Sequence, residues 1–337
     1  MIYDGMDTHG NDHTKNVNVV MPVLAIIVPC FNEEAVFGFC LHELNQVLES
    51  LISKRLIDKG SYILFVDDGS RDNTWELIRL AAQNNKKIKG IKLSRNRGHQ
   101  IALLAGLKES ISDISISIDA DLQDDISGIE KMILEYLKGN DVVYGVRNDR
   151  ATDTVFKRRT AEIFYNTMKW MGVEQIPHHA DYRLLTNRAK LSLLSFKEQS
   201  PYLRGLIPLV GYKSSKVFYA RSARAAGESK YPLKKMLSLA IDGITSLTVT
   251  PLRIIAFFGL FISFISILGA LYAILQKIIG HPVEGWASVM IAIFFLGGVQ
   301  MLSLGVIGEY IGKIYMEAKE RPKYFIEQKT DNKDDSI

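Results

Sequence analysis

From residue 23 to residue 230, short apolar runs alternate with longer amphipathic stretches. Five runs have the length of a buried strand: VLAIIVP (23–29), YILFVDD (62–68), IKGIKLS (88–94), ISISIDA (114–120) and DVVYGV (141–146). Helical periodicity fills the gaps over Glu34–Ile57, Thr74–Asn84 and Gln100–Ser110. This alternation predicts an α/β fold with a mostly parallel sheet covered by helices on both faces. Such sheets bind ligands beyond the carboxyl ends of their strands. Polar clusters stand at those ends: NEE (32–34), DDGS (67–70), SRNRG (94–98), DADLQDD (119–125) and Arg147.

The pattern then changes. Ile254–Leu275 and Trp286–Gly308 contain no charged residue. Each would span roughly 33 Å as a helix, enough for a hydrocarbon core of about 30 Å. The connection QKIIGHPVEG (276–285) carries His-Pro and glycine turn signals, so the two runs predict a transmembrane hairpin. Lys230, Lys234, Lys235 and Arg253 precede the hairpin, and Lys313, Lys319, Arg321 and Lys323 follow it, while Lys277 is the lone cation of the connection. The positive-inside rule therefore puts both flanks, and the α/β part, in the cytoplasm. Between Pro232 and Thr250, LKKMLSLAIDGITSLTV reads as an interfacial amphipathic helix.

Composition sharpens the division. The 337 residues average 47% hydrophobic and 23% charged, with a net charge of +4. Yet of 41 basic and 37 acidic residues, only Lys277 and Glu284 fall between Ile254 and Gly308. The chain is too apolar and aromatic to be disordered. Cys30 and Cys40 cannot make a disulfide scaffold and suit a reducing compartment. The net charge is too small for a dedicated nucleic-acid binder. Residues 1–20 have no apolar signal-peptide core. No G-x-x-x-x-G-K-S/T loop is present and no G-x-G-x-x-G follows a strand, which disfavours P-loop NTPases and dinucleotide dehydrogenases.

Three clusters carry candidate chemistry. In ISISIDAD the strand period puts Asp119 and Asp121 on one side, about 7 Å apart along the chain. Mg²⁺ or Mn²⁺ prefers one or two carboxylates together with substrate phosphates, and Gln123 can add a carbonyl. In DDGSRDNT, Asp72 or Asn73 can cap the next helix and Gly69 permits a positive φ. That leaves Asp67 and Asp68 to meet a base N–H or ribose hydroxyls. Arg147, Arg150, Lys157, Arg158 and Arg159 form a basic stretch whose guanidinium forks suit phosphate. His178 and His179, being adjacent, cannot share one side of a strand, and no four-ligand zinc set accompanies them.

The ordered series VPCFNEE (28–34), VDDGSRDNT (66–74), SRNRGHQIAL (94–103), DADLQDD (119–125), YGVRNDR (144–150), FKRRTAEIFY (156–165), ADYRLL (180–185), YLRGLIPLVGY (202–212), AGESKYPLKK (226–235) and LGGVQMLSLGVIGEYIGKIY (296–315) resembles the family 2 glycosyltransferases. The closest likeness is to the branch with polyprenyl phosphate acceptors, which includes dolichyl-phosphate mannose synthase and the bactoprenol glucosyltransferases. The resemblance covers about residues 22–326. It implies a GT-A, Rossmann-like domain over 22–230, after a disordered extension at 1–21. An interfacial helix at 231–252, a transmembrane hairpin at 253–312 and a cytoplasmic tail at 313–337 complete the expected organisation.

Carried over by position, the resemblance implies that Pro29, Phe31, Glu33 and Asp68 line the nucleotide, with Asp67 a further member. Asp119, Asp121 and Gln123 would hold Mg²⁺ or Mn²⁺ on the donor diphosphate, Asp121 counting also as catalytic. Arg147 and Arg158, with Arg159 a competitor, would grip the acceptor phosphate. Arg224 and Lys230 would close over the phosphates. Asp181 occupies the place of a carboxylate often called the general base. A phosphate monoester has its second pKa near 6, however, so the nucleophile hardly needs deprotonation, and an orienting role for Asp181 is expected. The sequence departs from the family pattern at Asp125-Ile126-Ser127, where Pro-Pro-Glu is usual, and at Ala180-Asp181-Tyr182-Arg183, where Gly-Asp-Phe-Arg is usual.

The expectation is an inverting, metal-dependent transferase in the bacterial inner membrane, passing twice, with its catalytic domain in the cytoplasm. It would move one sugar, UDP-glucose being the first choice of donor, to undecaprenyl phosphate. The product would feed lipopolysaccharide or other cell-envelope glycans through a flippase and a downstream glycosyltransferase. N-acetylglucosamine, mannose or a modified arabinose are alternative sugars. A non-catalytic membrane protein that binds or moves a lipid-linked sugar is the alternative outside the enzyme class. Small residues around LGGVQ favour helix packing into a dimer or tetramer.

Overall fold

A computed structural model describes residues 21–147, 166–167, 170–171, 179–219, 244–245, 248–279 and 285–331. The α/β part runs β1 (Leu24–Cys30), α1 (Glu34–Ser53), β2 (Tyr62–Asp67), α2 (Thr74–Asn84), β3 (Ile88–Leu93), α3 (His99–Glu109), β4 (Ile114–Ser117), α4 (Gly128–Leu137) and β5 (Val142–Arg147). It continues through β6 (His179–Thr186), α5 (Asn187–Leu194), α6 (Leu203–Leu209) and β7 (Ser214–Tyr219). Two long helices follow, α7 (Thr250–Ile279) and α8 (Trp286–Ala318), and then β8 (Ile326–Lys329).

All eight strands form one sheet in the order β7-β5-β6-β4-β1-β2-β3-β8. The β4-β1-β2-β3 block is parallel, so the carboxyl ends of its strands share one edge. Every residue of β1 is buried, because helices cover both faces and a continuous apolar run is then favourable. Alternate residues feed two cores. Leu24, Ile26 and Val28 pack with Phe37, Cys40, Leu44 and Leu48 of α1 on one face. Ala25 and Ile27 pack with Ala102, Leu103 and Ala105 of α3 on the other. Close approach of α3 requires Gly106, where a Cβ would come within 2.4 Å of Ile27 Cγ2 and 2.8 Å of Val66 Cγ2.

Several sequence expectations change. The fourth strand ends at Ser117, so Asp119 and Asp121 lie in the following turn and strand pleating does not set their directions. That turn includes Leu122 in the left-handed region (φ 44°). The antiparallel β6 is inserted between β4 and β5, and β7 pairs parallel to β5. Of the residues expected as a cytoplasmic tail, 313–337, those up to Ala318 continue α8, 326–329 form β8, which pairs antiparallel with β3 at the sheet edge, and 332–337 lie outside the described residues. IEQK is short, polar and mostly exposed, so it carries no apolar signal. It is fastened by side chains instead, with Trp75 Nε1 donating to Gln328 Oε1 (2.6 Å), Lys89 paired with Asp331 and Lys329 paired with Glu109. The interfacial helix expected at 231–252 lies largely outside the described residues, and residues 250–252 belong to α7. The extension at 1–21 is outside them too, except for Met21.

The α7 and α8 helices are long and apolar enough to cross a membrane. They present Phe257, Leu260, Leu271, Ile291, Phe294 and Met301 outward, the opposite of what water selects. At 1.5 Å per residue α8 is about 50 Å long, some 20 Å more than a hydrocarbon core, so its last turns can stand clear of one. Those turns meet the α/β domain. Glu317 Oε1 accepts from the Gln199 backbone N–H (2.7 Å), and Lys323 Nζ donates to the Phe196 carbonyl (3.5 Å). The Ser94 N–H, just past β3, then donates to the Phe325 carbonyl (3.0 Å). The long helices thus join the domain at the carboxyl edge of its parallel strands.

Candidate active site

The loops after β1 and β2 are stapled together. Asn32 N–H donates to Ser70 Oγ (2.9 Å), and Arg71 N–H donates to Asn32 Oδ1 (2.9 Å). Glu33 N–H donates to Thr74 Oγ1 (2.9 Å), while Asn73 Nδ2 donates to Glu34 Oε1 (2.8 Å). Asp72 Oδ1 accepts the N–H and hydroxyl of Thr74, doing the work expected of a helix cap. Within this frame Pro29 is buried and Phe31 presents its ring outward.

Asp67 and Asp68, both buried, are used differently. Asp68 accepts the N–H groups of Arg97 (2.7 Å) and Gly98 (2.8 Å), which ties the loop after β3 to the end of β2. Asp67 Oδ1 accepts from Ser70 N–H (3.2 Å), and its Oδ2 has no hydrogen-bond partner among the described residues. Burial pushes both carboxyls above their ordinary value, against the hydrogen bonds they accept. Gly69 (φ 68°) lies so close to the same loop that a Cβ would meet the Arg95 and Asn96 backbone at 2.7 Å.

The turn after β4 carries the next group of carboxylates. Gln123, buried, donates its Nε2 to Asp121 Oδ2 (2.6 Å), so it orients Asp121. Asp124 is buried and paired with Arg147, whose Nε and Nη2 lie 3.0 and 2.9 Å from its Oδ1. Arg147 Nε also lies 3.4 Å from the Tyr219 hydroxyl.

Asp181 enters from β6. The antiparallel register pairs Ser117, the last residue of β4, with Arg183, which brings Asp181 to the end of the pairing, where the turn carrying Asp119 begins. Ser117 Oγ hydrogen-bonds the Asp181 carbonyl, fixing the pair at this height. His99 Nε2, on the first turn of α3, is 3.5 Å from Asp119 Oδ1 and 3.5 Å from Asp181 Oδ2. Asp181 also pairs with Arg183, and Arg204 Nε and Nη2 approach its two oxygens at 3.4 and 3.5 Å. Burial pushes the Asp181 carboxyl up, but the His99 hydrogen bond and the Arg204 and Arg183 charges outweigh it and hold the group well below the usual carboxylate range. Asp119 goes the other way. Loss of hydration pushes it up to about 6, opposed by His99 and reinforced by Asp181, Asp124 and Asp121.

That crowding is the test of a metal. Asp119 carries negative charge that its neighbours do not balance, which a divalent cation would. Among the described residues no three His, Cys, Asp or Glu side chains are grouped to hold an ion by themselves. The donor set fits a hard cation that takes one or two carboxylates and completes its shell with water and substrate phosphate.

The family model for glycosyl transferase family 2 matches residues 25–193, half the chain, including Asp67, His99, Asp119, Asp121, Asp124 and Asp181 but not Arg204 or Tyr219. The chain belongs to glycosyl transferase family 2. A second model, the GtrB C-terminal hairpin, matches residues 250–314. This family 2 transferase is 52% identical to the uncharacterised glycosyltransferase YkoT of Bacillus subtilis (strain 168), over 91% of each chain. It is 36% identical to the bactoprenol glucosyl transferase of Shigella phage SfX, over 91% of this chain and 99% of that one. Among solved structures, glucosyl-3-phosphoglycerate synthase of Mycobacterium tuberculosis matches 67% of this chain and 77% of its own, at 17% identity and a TM-score of 0.47. That likeness is too slight to carry function.

The transferase fold brings Asp119, Asp121, Gln123 and Asp181 into one cluster around His99 and the turn after β4, with Arg147 paired to Asp124 of the same turn. Pro29, Phe31, Glu33 and Asp68 lie on or under the stapled loops. Arg158, Arg159, Arg224 and Lys230 lie outside the described residues. Sequence reasoning gave no role to His99, Asp124 or Arg204. His99 and Arg204 sit inside quoted motifs, RGHQ and YLRGL, and only the approach of α3 and α6 to β6 reveals their common target.

Proposed function

We propose that this transferase moves a single sugar from a nucleotide diphosphate sugar, UDP-glucose first, to undecaprenyl phosphate at the cytoplasmic face of the bacterial inner membrane. The observation that carries the proposal is the junction of α8 with the carboxyl edge of the sheet, through Glu317–Gln199 and Phe325–Ser94. A site fastened to a membrane hairpin at its open edge is suited to an acceptor whose reactive phosphate stays at the bilayer surface. The names of relatives that match over nearly the whole chain, such as the phage bactoprenol glucosyl transferase, support the same acceptor class.

The reaction is a single in-line displacement. An acceptor phosphate oxygen attacks the anomeric carbon, the bond from that carbon to the donor diphosphate breaks, and the configuration inverts. Mg²⁺ or Mn²⁺, held by Asp119 and Asp121, would neutralise charge on the leaving diphosphate. Gln123 keeps Asp121 turned toward that position. Asp181, held ionised by His99, Arg204 and Arg183, is a weak base and would orient Arg204 beside the acceptor. Asp67 Oδ2 is available to a donor N–H of the base, and Phe31 to its face. In this reading α7 and α8 cross the bilayer, and the product serves envelope glycans after a flippase step.

Incubating membranes that contain the protein with radiolabelled nucleotide sugars and undecaprenyl phosphate tests the proposal. UDP-glucose label is expected in the lipid phase. Label from a different sugar would replace the donor assignment, and none from any sugar would overturn the acceptor class.

A further inference from the structure

We infer that Glu317, at the end of α8, is a positioning residue that sets Arg204 against Asp181 through the α5–α6 connection. The inference rests on the transferase reading above and adds a route by which the hairpin acts on the site.

The connection from Ser195 to Tyr202 has no helix or strand of its own. It is held from the hairpin side at two places: the Gln199 N–H on Glu317 Oε1 (2.7 Å) and the Phe196 carbonyl on Lys323 Nζ (3.5 Å). Its far end enters the active site. The Leu203 N–H donates to Gln100 Oε1 (3.0 Å), beside His99, and Arg204 reaches both oxygens of Asp181. Gln199, which contacts α8, and Arg204, whose guanidinium faces the central carboxylate, are therefore only five positions apart.

The distances identify the sensitive step. At 3.4 and 3.5 Å the Arg204–Asp181 contacts sit at the outer limit of hydrogen bonding, where strength falls steeply with separation. The Glu317–Gln199 bond is short and has an ionised acceptor, so it is the stronger end of the link. Freed from Glu317, the connection can move by a few tenths of an ångström, enough to release Arg204. Asp181 then keeps Arg183 and His99 but loses its partner on the α6 side. Among the described residues no hydrogen bond joins the donor loops after β1 and β2 to this connection, so donor binding is expected to change little.

The test uses the full-length chain in lipid nanodiscs, comparing E317A, E317M and E317Q with the parent. Glutamine keeps an oxygen acceptor for the Gln199 N–H; methionine keeps the length and removes it. Amide exchange without substrate is expected to rise at least about fivefold over residues 199–206 in E317A and E317M, with β1 unchanged and E317Q within about twofold of the parent. In transfer assays kcat is expected to fall about tenfold for E317A and E317M, with the donor KM unchanged and E317Q again near the parent. Unchanged exchange over 199–206, a loss in E317Q as large as in E317A, or faster exchange that extends to β1 would each overturn the inference. Because exchange is read without substrate, a parent chain that transfers nothing to undecaprenyl phosphate would remove the functional reading, while exchange still decides this one.

Discussion

Asp119 and Asp181 share one imidazole: His99 Nε2 stands 3.5 Å from an oxygen of each. The two carboxyls are nonetheless in opposite electrostatic states. Asp181 is surrounded by cations and sits well below the usual range, while Asp119 is pushed up to about 6. One site thus holds a fixed anion and an under-compensated one, the difference expected if Asp181 is an anchor and Asp119 the proposed cation ligand.

Asp119→Asn tests the second role. Removing an uncompensated charge from a crowd of carboxylates leaves the fold as stable as before or more so, whereas transfer falls by at least about 100-fold. Thermal melting and the lipid-phase transfer assay read the two effects separately. Retained transfer would remove Asp119 from the metal site.

Asp181→Asn tests the first. A carboxyl held below its usual range stays ionised through the neutral region, and what it contributes is lost only as the pH falls through that depressed value. Between about pH 5.5 and about 8 the variant is expected to keep measurable turnover, reduced about tenfold to 100-fold. Abolition of turnover across the whole range would instead identify a general base.

Arg147 has a structural partner that complicates its reading as a phosphate ligand. Asp124 is almost fully enclosed and Arg147 supplies its charged hydrogen bonds, so Arg147→Ala strands a buried carboxylate at a cost of about 2 kcal/mol. Pairing Arg147→Gln with Asp124→Asn removes both charges and is expected to recover most of that stability. If the guanidinium also grips the acceptor, the double variant still shows a raised acceptor KM. A KM that recovers along with stability would leave Arg147 a purely structural role.

Which parts of this were legible in the sequence follows from the range of the forces involved. Helix α2 runs over Thr74–Asn84 as periodicity predicts, and β1 and β2 follow from apolar runs buried on both sides. The D-x-D segment stands out in the sequence, but its place in a turn does not, because the run ISISI gives no sign that pairing stops at Ser117. His99 and Arg204 were invisible as a pair, being 105 positions apart and joined only through the register that delivers Asp181. Strand β8 was missed for a different reason. Its binding energy lies in partners far away in the chain, Gln328 with Trp75 among them, and its own four residues have no pattern to detect.

Deleting residues 324–337 measures what that strand does. The edge of β3 would lose its ladder with β8, Trp75 Nε1 its acceptor, and Gly90 N–H its bond to Thr330 Oγ1. An uncovered parallel edge invites pairing with other chains. The truncated protein is therefore expected to melt lower, by at least about 2 kcal/mol of stability, and to form larger species on size-exclusion. A functional loss should accompany it. Ser94 would lose the Phe325 carbonyl only three residues before Arg97 and Gly98, whose N–H groups hold Asp68 at the donor loops. Weaker binding of UDP, measured by calorimetry on the monomeric fraction, is the expected sign that the strand steadies the site as well as the sheet. Unchanged UDP affinity in that fraction would confine β8 to protecting the edge.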